Sequence, residues 1–257
     1  MSALLELDRV SAGYQGRAVV EGVSFRVRAG ELCVLLGLNG SGKSTLLKTV
    51  CGLLPALGGR MRAGGRDLAG MRERQRARLL SYIPQRPDPD PSLRVLDVVC
   101  MGYNPWLGLL ESPSPAQRDR AAQTLEEAGL PGACKDRLYG QLSEGQRQLV
   151  IFARALVQDA PVLLMDEPDS ALDFVNRRQV LSRIAQTVRA QNRAGLITLH
   201  DPNSALEYGD RLLLLRNGAL IADLPVRTTP PGQLEAALSQ LYGPVKLLPH
   251  EGRLFLL

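Results

Sequence analysis

An α/β fold with a helical insertion is what this sequence predicts, and three observations carry the prediction. The run Leu32–Gly37, "LCVLLG", is continuously apolar and ends in glycine. A glycine-rich turn and the helix-like "KSTLLKTVCGLL" follow it at once. Further apolar runs return late in the chain, in "VLLMDEP", "GLITLHD" and "RLLLLRNGALIADL". A strand covered on both faces by helices has no solvent side to mark with polar residues, so it reads as an unbroken apolar run. With 257 residues and a hydrophobic fraction of 45%, the chain can bury a sizeable core.

Taken in order, "LLELDRVSAGY" and "GVSFRVRAGE" read as an opening pair of strands. In the second, Val23, Phe25 and Val27 alternate with Ser24, Arg26 and Arg28, which predicts a half-exposed antiparallel edge. The strand of "LCVLLG" then enters its glycine turn and helix. From about Arg86 to Ala160 the character changes: a proline-rich "RPDPDPSL" leads into helical segments. One of these starts at Ser114, where the serine can cap, Pro115 suits the first helical position and Gln117 completes a capping box. Asn217-Gly218, within the last apolar run, is a two-residue hairpin signal. The predicted division is an α/β core over 1–85 and 161–242, a helical subdomain over 86–160, and a tail over 243–257. A short helix in "TTPPGQLEAALSQLYG" precedes the tail, whose purpose the sequence does not state.

Composition excludes little by itself. The net charge of +5 would suit nucleic acid or acidic lipid, but the arginines are dispersed, with one modest cluster at "MRERQRAR". Cys33, Cys51, Cys100 and Cys134 form no CxxC pair and no metal-ligand spacing, so reduced thiols in a cytosolic protein are expected. No run reaches the roughly 18 apolar residues of a membrane span and the start lacks a signal-peptide core, so any membrane role is expected to be peripheral.

The strongest chemical signal is Gly37-Leu38-Asn39-Gly40-Ser41-Gly42-Lys43-Ser44, which fits GxxxxGK[ST]. Glycines let successive N–H groups turn toward one anion, and the helix N-terminus behind them adds positive potential. Lys43 can reach the outer phosphates and Ser44 can ligate Mg²⁺. Asn39, Gly40, Ser41, Gly42, Lys43, Ser44 and Thr45 are therefore candidates for holding a nucleoside triphosphate. In "VLLMDEPDSALD" an apolar strand delivers Asp166 and Glu167 to its end, where a parallel sheet places its ligand. Asp166 can hold the metal's water shell and Glu167 can polarise an attacking water. Ser143-Glu144-Gly145-Gln146 is a capping box, which alone is a well-started helix; it is equally an anion site, with Ser143, Gly145 and Gln146 as the candidates.

The phosphate loop, "LSEGQ", "LLMDEP", "SALD" and a histidine after a later strand, in this order and spacing, resemble the ABC transporter ATPases. The resemblance covers most of the chain. It implies a head-to-tail homodimer in which "LSEGQ" of one subunit closes over ATP and Mg²⁺ held by the other. It further implies that Tyr14 stacks on adenine, that Gln85 reaches the metal and senses the transporter, and that Asp173 sits at the dimer seam. His200 is implied to contact the γ-phosphate and to help hold Glu167, the general base, with its water. Without the resemblance Tyr14 would be a strand-end packing residue, Gln85 a loop amide and His200 a satisfied polar group. Three positions depart from the family's usual pattern: Leu38 in place of proline, Glu144 in place of glycine, and Asp169 in place of threonine or serine. The Glu144 carboxylate is expected to turn out to solvent, because aimed at a triphosphate it would be repelled.

The insertion and "LHDPNSALEYGDRLLLLRNG" resemble the ATPases of bacterial importers for ferric siderophores, haem, vitamin B12 or oxyanions such as molybdate. That resemblance implies two membrane-spanning permease subunits, an extracytoplasmic binding protein as indirect partner, no nucleic acid, and a peripheral place on the cytoplasmic face of the bacterial inner membrane. The segment from Gln85 to Leu110 is expected to dock the permease, with Trp106 either on that surface or packed inside the helical part. An ATPase of another ABC importer or exporter type, or a soluble ABC ATPase acting on nucleic acid, remains the alternative at this point.

Overall fold

The computed structural model describes residues 3–86, 89–170, 172–250 and 253–257. Pro87, Asp88 and Ala171, which fall in stretches quoted above, lie outside the described residues. Strands β1 (Ala3–Tyr14) and β2 (Arg17–Arg28) pair antiparallel. Val23, Phe25 and Val27 are buried while Ser24, Arg26 and Arg28 face out, as the alternation predicts. Strand β3 (Leu32–Leu36) is buried at every position and passes through the glycine turn into helix α1 (Lys43–Cys51). Strands β4 (Ala56–Ala63) and β5 (Arg66–Asp67) complete a four-stranded sheet in the order β2-β1-β4-β5. A short helix α2 (Glu73–Ala77) leads to β6 (Leu80–Ile83), whose end delivers Gln85.

The helical part follows as α3 (Val95–Cys100), α4 (Pro115–Glu127) and α5 (Glu144–Val157). Both capping boxes form: Ser114 accepts from the N–H of Gln117, and Ser143 from that of Gln146. Trp106 is neither bare nor buried. It is 44% exposed, its Nε1 donates to the Gln158 carbonyl at 2.8 Å, and the Arg78 guanidinium lies 4.7 Å from its ring centroid.

The chain then alternates β7 (Val162–Asp166), α6 (Phe174–Ala190), β8 (Ala194–Thr198), α7 (Pro202–Tyr208), β9 (Arg211–Arg216) and β10 (Ala219–Pro225). Asn217 and Gly218 both take positive φ, 49° and 80°, and form the two-residue turn of the β9–β10 hairpin. The second sheet has the order β10-β9-β3-β8-β7-β6. Successive residues of its parallel strands feed opposite cores: Val34, Leu163 and Leu212 pack toward the helical part, and Leu35, Leu164 and Leu213 toward the four-stranded sheet. That double burial is the reason these strands read as unbroken apolar runs. In the parallel register Thr198 is the partner of both Leu35 and Asp166, so the chain segments that leave β3, β7 and β8 emerge along one edge.

After helix α8 (Pro231–Tyr242) the tail closes as a hairpin, β11 (Leu247–His250) with β12 (Arg253–Leu256). The Asn203 side chain fastens it to α7 by accepting from the Leu256 N–H at 2.7 Å and donating to the Leu256 carbonyl at 3.3 Å. The four cysteines are unpaired, and burial pushes the thiols of Cys33, Cys51 and Cys100 up, which suits their reading as small hydrophobes. No helix among the described residues is long and apolar enough to cross a membrane.

Candidate active site

At the sheet's carboxyl edge the phosphate loop wraps a cleft of about 440 Å³. Asn39 through Thr45 line it, and Gln85, Glu167 and His200 close its far side. Helix α1 starts at Gly42 with φ 102°, a conformation side chains resist, and a Cβ there would lie 2.4 Å from a methyl of Val20. No side chain caps this helix and no acid stands in its first turn, so its free N–H groups and its dipole face the cleft unopposed. The Ser41 hydroxyl, buried in the loop, has no hydrogen-bond partner among the described residues. A buried group of this kind normally finds one, and an oxyanion in the cleft would supply it.

Lys43 is only 5% exposed, and its ammonium donates to the Gly37 carbonyl at 2.9 Å. Burial pushes its pKa down, opposed by the negative charges of Glu167, 4.0 Å away, and of Asp166. The two acids at the end of β7 diverge. Asp166 accepts from Ser44 at 3.0 Å and from Thr198 at 2.9 Å, and the Tyr82 hydroxyl reaches its second oxygen at 3.4 Å. Desolvated by burial, and beside that charge, the Tyr82 phenol is held well above its ordinary pKa. Glu167 turns the other way because its φ is +49°, a left-handed conformation that costs a non-glycine residue about 1–2 kcal/mol. The strain is held by the Thr198 hydroxyl, which accepts the Glu167 N–H at 2.8 Å.

One carboxylate oxygen of Glu167 is the meeting point. Nε2 of His200 lies 2.6 Å from Oε2, and the Gln85 amide donates to the same atom. Glu167 itself is 6% exposed, while His200 and Gln85 are exposed at the cleft mouth. A buried, oriented carboxylate beside an anion cradle is an arrangement suited to taking a proton from water. Ser44 and Asp166 together offer hard oxygen donors of the kind Mg²⁺ prefers. Among the described residues no group of three His, Cys, Asp or Glu could hold a metal alone, so an ion there would keep water and phosphate ligands, as Mg²⁺ does.

The other sequence candidates stand apart from this cleft. Tyr14 is exposed at the end of β1. Ser143, Gly145 and Gln146 form the start of α5, and Asp173 caps α6 while accepting from Asn176 at 2.9 Å; none of these five lines the cleft. The Glu144 carboxylate is half exposed and lies 3.7 Å from Arg147, turned outward as expected. Sequence reasoning missed Thr198 and Tyr82. Thr198 did leave a signal, as a polar residue inside "GLITLHD" two positions before the histidine.

Comparison with known proteins agrees with this geometry. A family model described as ABC transporter matches residues 20–170. The hemin import ATP-binding protein HmuV of Streptomyces coelicolor is 38% identical over 240 residues, covering 91% of this chain and 82% of that one. The zinc transport system ATP-binding protein TroB of Treponema pallidum is 38% identical over 221 residues, 85% of this chain and 80% of that one. Among solved structures, a metal-chelate type ABC transporter in an inward-facing conformation matches with a TM-score of 0.83 and 26% identity, covering 99% of this chain and 96% of the other. The chain therefore belongs to the ABC transporter family, as one of its ATP-binding, ATP-hydrolysing subunits.

Proposed function

We propose that this chain is the ATPase of a bacterial importer for a metal ion or metal chelate, working as a head-to-tail homodimer beneath two permease subunits on the cytoplasmic face of the membrane. The relatives named above, together with a manganese transport protein of Bacillus subtilis that is 37% identical over 213 residues, support this cargo class. They widen the sequence expectation of a chelate or oxyanion to include free divalent ions. The division into a core over 1–85 and 161–242, a helical part over 86–160 and a tail over 243–257 is retained as part of this reading.

In the proposed roles, Asn39 to Thr45 cradle the triphosphate, with Lys43 on its outer phosphates. Tyr14 stacks on adenine. Ser44, Asp166 and Gln85 hold Mg²⁺, which when bound neutralises the charge on the phosphate oxygens. Glu167 accepts the proton of the attacking water, and His200 and Gln85 orient its carboxylate. Ser143, Gly145, Gln146 and Asp173 serve the nucleotide of the second subunit.

The observation that carries the dimer is the separation of two anion-seeking features in one chain: the cleft holds Lys43 and Glu167, with Asp166 bonded to its Ser44, whereas the α5 N-terminus does not line it. A mixing experiment tests it. Ser143→Asp retains a good helix cap but sets a carboxylate toward the partner's phosphates. Mixed with a Lys43→Ala chain, it forms heterodimers with one intact composite site, where neither variant alone has any. ATP turnover is expected to reappear on mixing. No recovery, with heterodimers demonstrated, would refute sharing across the seam.

A further inference from the structure

Gly145 is the second residue of α5 and is buried. It is not among the glycines of positive φ, so its backbone does not require glycine, and in a helix alanine would be favoured by up to about 1 kcal/mol. What excludes a side chain lies within the same subunit. A Cβ at 145 would sit 2.7 Å from Oδ1 of Asn176, 2.8 Å from its Cγ and 3.1 Å from its Cβ. Asn176 is not free to swing aside. Its side-chain amide donates to Asp173 Oδ2 at 2.7 Å, and its N–H donates to Asp173 Oδ1 at 2.9 Å.

The first turn of α6 thus touches three things. Through Asn176 it holds Asp173 and abuts the start of α5. Through Arg177 it holds the loop that leaves Glu167: the guanidinium donates to the Leu172 carbonyl at 3.4 Å, and its Nε lies 3.5 Å from Asp169. We propose that Asn176 is a positioning residue for ATP hydrolysis, fixing the turn at Ser143–Gln146 against Asp173 so that both reach the second subunit as one rigid unit. Gly145 is glycine in order to seat on that amide. The proposal rests on the reading that residues 143–146 serve the partner's nucleotide.

The test uses four full-length chains: parent, Gly145→Ala, Asn176→Ala and the double variant, with kcat, KM for ATP and Tm measured for each. Gly145→Ala should lower kcat by about tenfold or more, since it displaces the turn that the second subunit meets. Asn176→Ala should lower kcat less, by a few fold, with KM little changed because the chain's own phosphate loop is untouched. Removing Cγ and Oδ1 leaves one 3.1 Å contact that can give by a few tenths of an ångström, so the double variant should regain the kcat of Asn176→Ala alone. A purely structural defect would follow Tm, whereas the expected recovery in kcat does not depend on a Tm change. A double variant as slow as Gly145→Ala overturns the proposal and leaves the shared-site reading standing, because glycine would then be required by the nucleotide. Parental kcat in Asn176→Ala also overturns the proposal. Parental kcat in Gly145→Ala overturns the proposal too, and the shared-site reading is then judged by the mixing experiment alone.

Discussion

The Thr198 hydroxyl accepts the backbone N–H of Glu167 at 2.8 Å while donating its own proton to Asp166 at 2.9 Å. One buried hydroxyl therefore holds the left-handed turn at the end of β7 and orients the acid before it. Thr198→Val keeps the shape and removes both bonds. A buried N–H left without a partner costs about 1–3 kcal/mol, and that N–H belongs to a residue already strained. We expect a lowered Tm together with a fall in kcat of about tenfold or more, as Glu167 leaves its productive orientation. Parental kcat at reduced Tm would show that Thr198 supports the fold and not the chemistry.

In the role proposed for Lys43, Lys43→Ala removes a charge-assisted contact to the outer phosphates, worth about 1.5–3 kcal/mol, or ten- to a hundredfold in affinity. It also strips the Gly37 carbonyl of its 2.9 Å donor, so the loop itself should loosen. Titration with a fluorescent ATP analogue measures the first effect, and hydrolysis should be lost with it. Unchanged turnover would remove Lys43 from the site.

Much of this was legible in the sequence, and where it was not the reason is physical. Burial on both faces made β3, β7, β8 and β9 visible as apolar runs, and Ser114, Ser143 and Asn217-Gly218 announce their caps and turn by local chemistry that needs no tertiary context. Thr198 was missed because its role comes from the pairing of β7 with β8, which sets it beside Asp166 from 32 positions away. Asn176 is invisible for the same reason, since its contact with Gly145 joins two helices. The β11–β12 hairpin has four-residue strands and a proline within one of them, and what holds it is distant in sequence: Leu247, Leu254 and Leu256 pack on the core, and Asn203 binds the Leu256 backbone. No local pattern marks β4, with its two glycines, as a strand, because its pairing with β1 is likewise not local.

Asp169 is buried and carries a titration signature. Burial raises its pKa, and the nearby Arg177 only partly opposes this. A carboxyl whose folded pKa exceeds its unfolded value of about 3.9 contributes stability below that value and loses it as pH rises through the folded pKa. At neutral pH the parent therefore bears the cost of a charged, desolvated group. Asp169→Asn removes that charge, and Arg177, with a third of its side chain exposed, can rely on water. The Tm of Asp169→Asn relative to the parent should be small near pH 4 and should grow in the variant's favour toward neutrality. A variant less stable than the parent at pH 7 would mean that the pairing with Arg177 outweighs desolvation.

Glu167→Gln separates binding from chemistry. Oε2 of Glu167 already takes the Gln85 amide and lies 2.6 Å from Nε2 of His200, so a glutamine carbonyl can occupy that place with both neighbours retained. Its amide nitrogen would then fall where Oε1 now stands, 4.0 Å from the Lys43 ammonium, and neither group there could accept a proton. Size and hydrogen bonding to water survive, but basicity does not. A positioned general base contributes about a hundredfold to ten-thousandfold in rate, so hydrolysis should fall by that order while ATP binding stays near the parental level. In the proposed head-to-tail dimer, nucleotide that is bound but not hydrolysed would keep the two subunits joined, so with ATP and Mg²⁺ the variant should run as a dimer in gel filtration. Near-parental turnover would remove Glu167 as the base, and loss of ATP binding would give it a structural role. A variant that binds ATP but stays monomeric would instead show that the turn at Ser143 does not close over a partner's nucleotide.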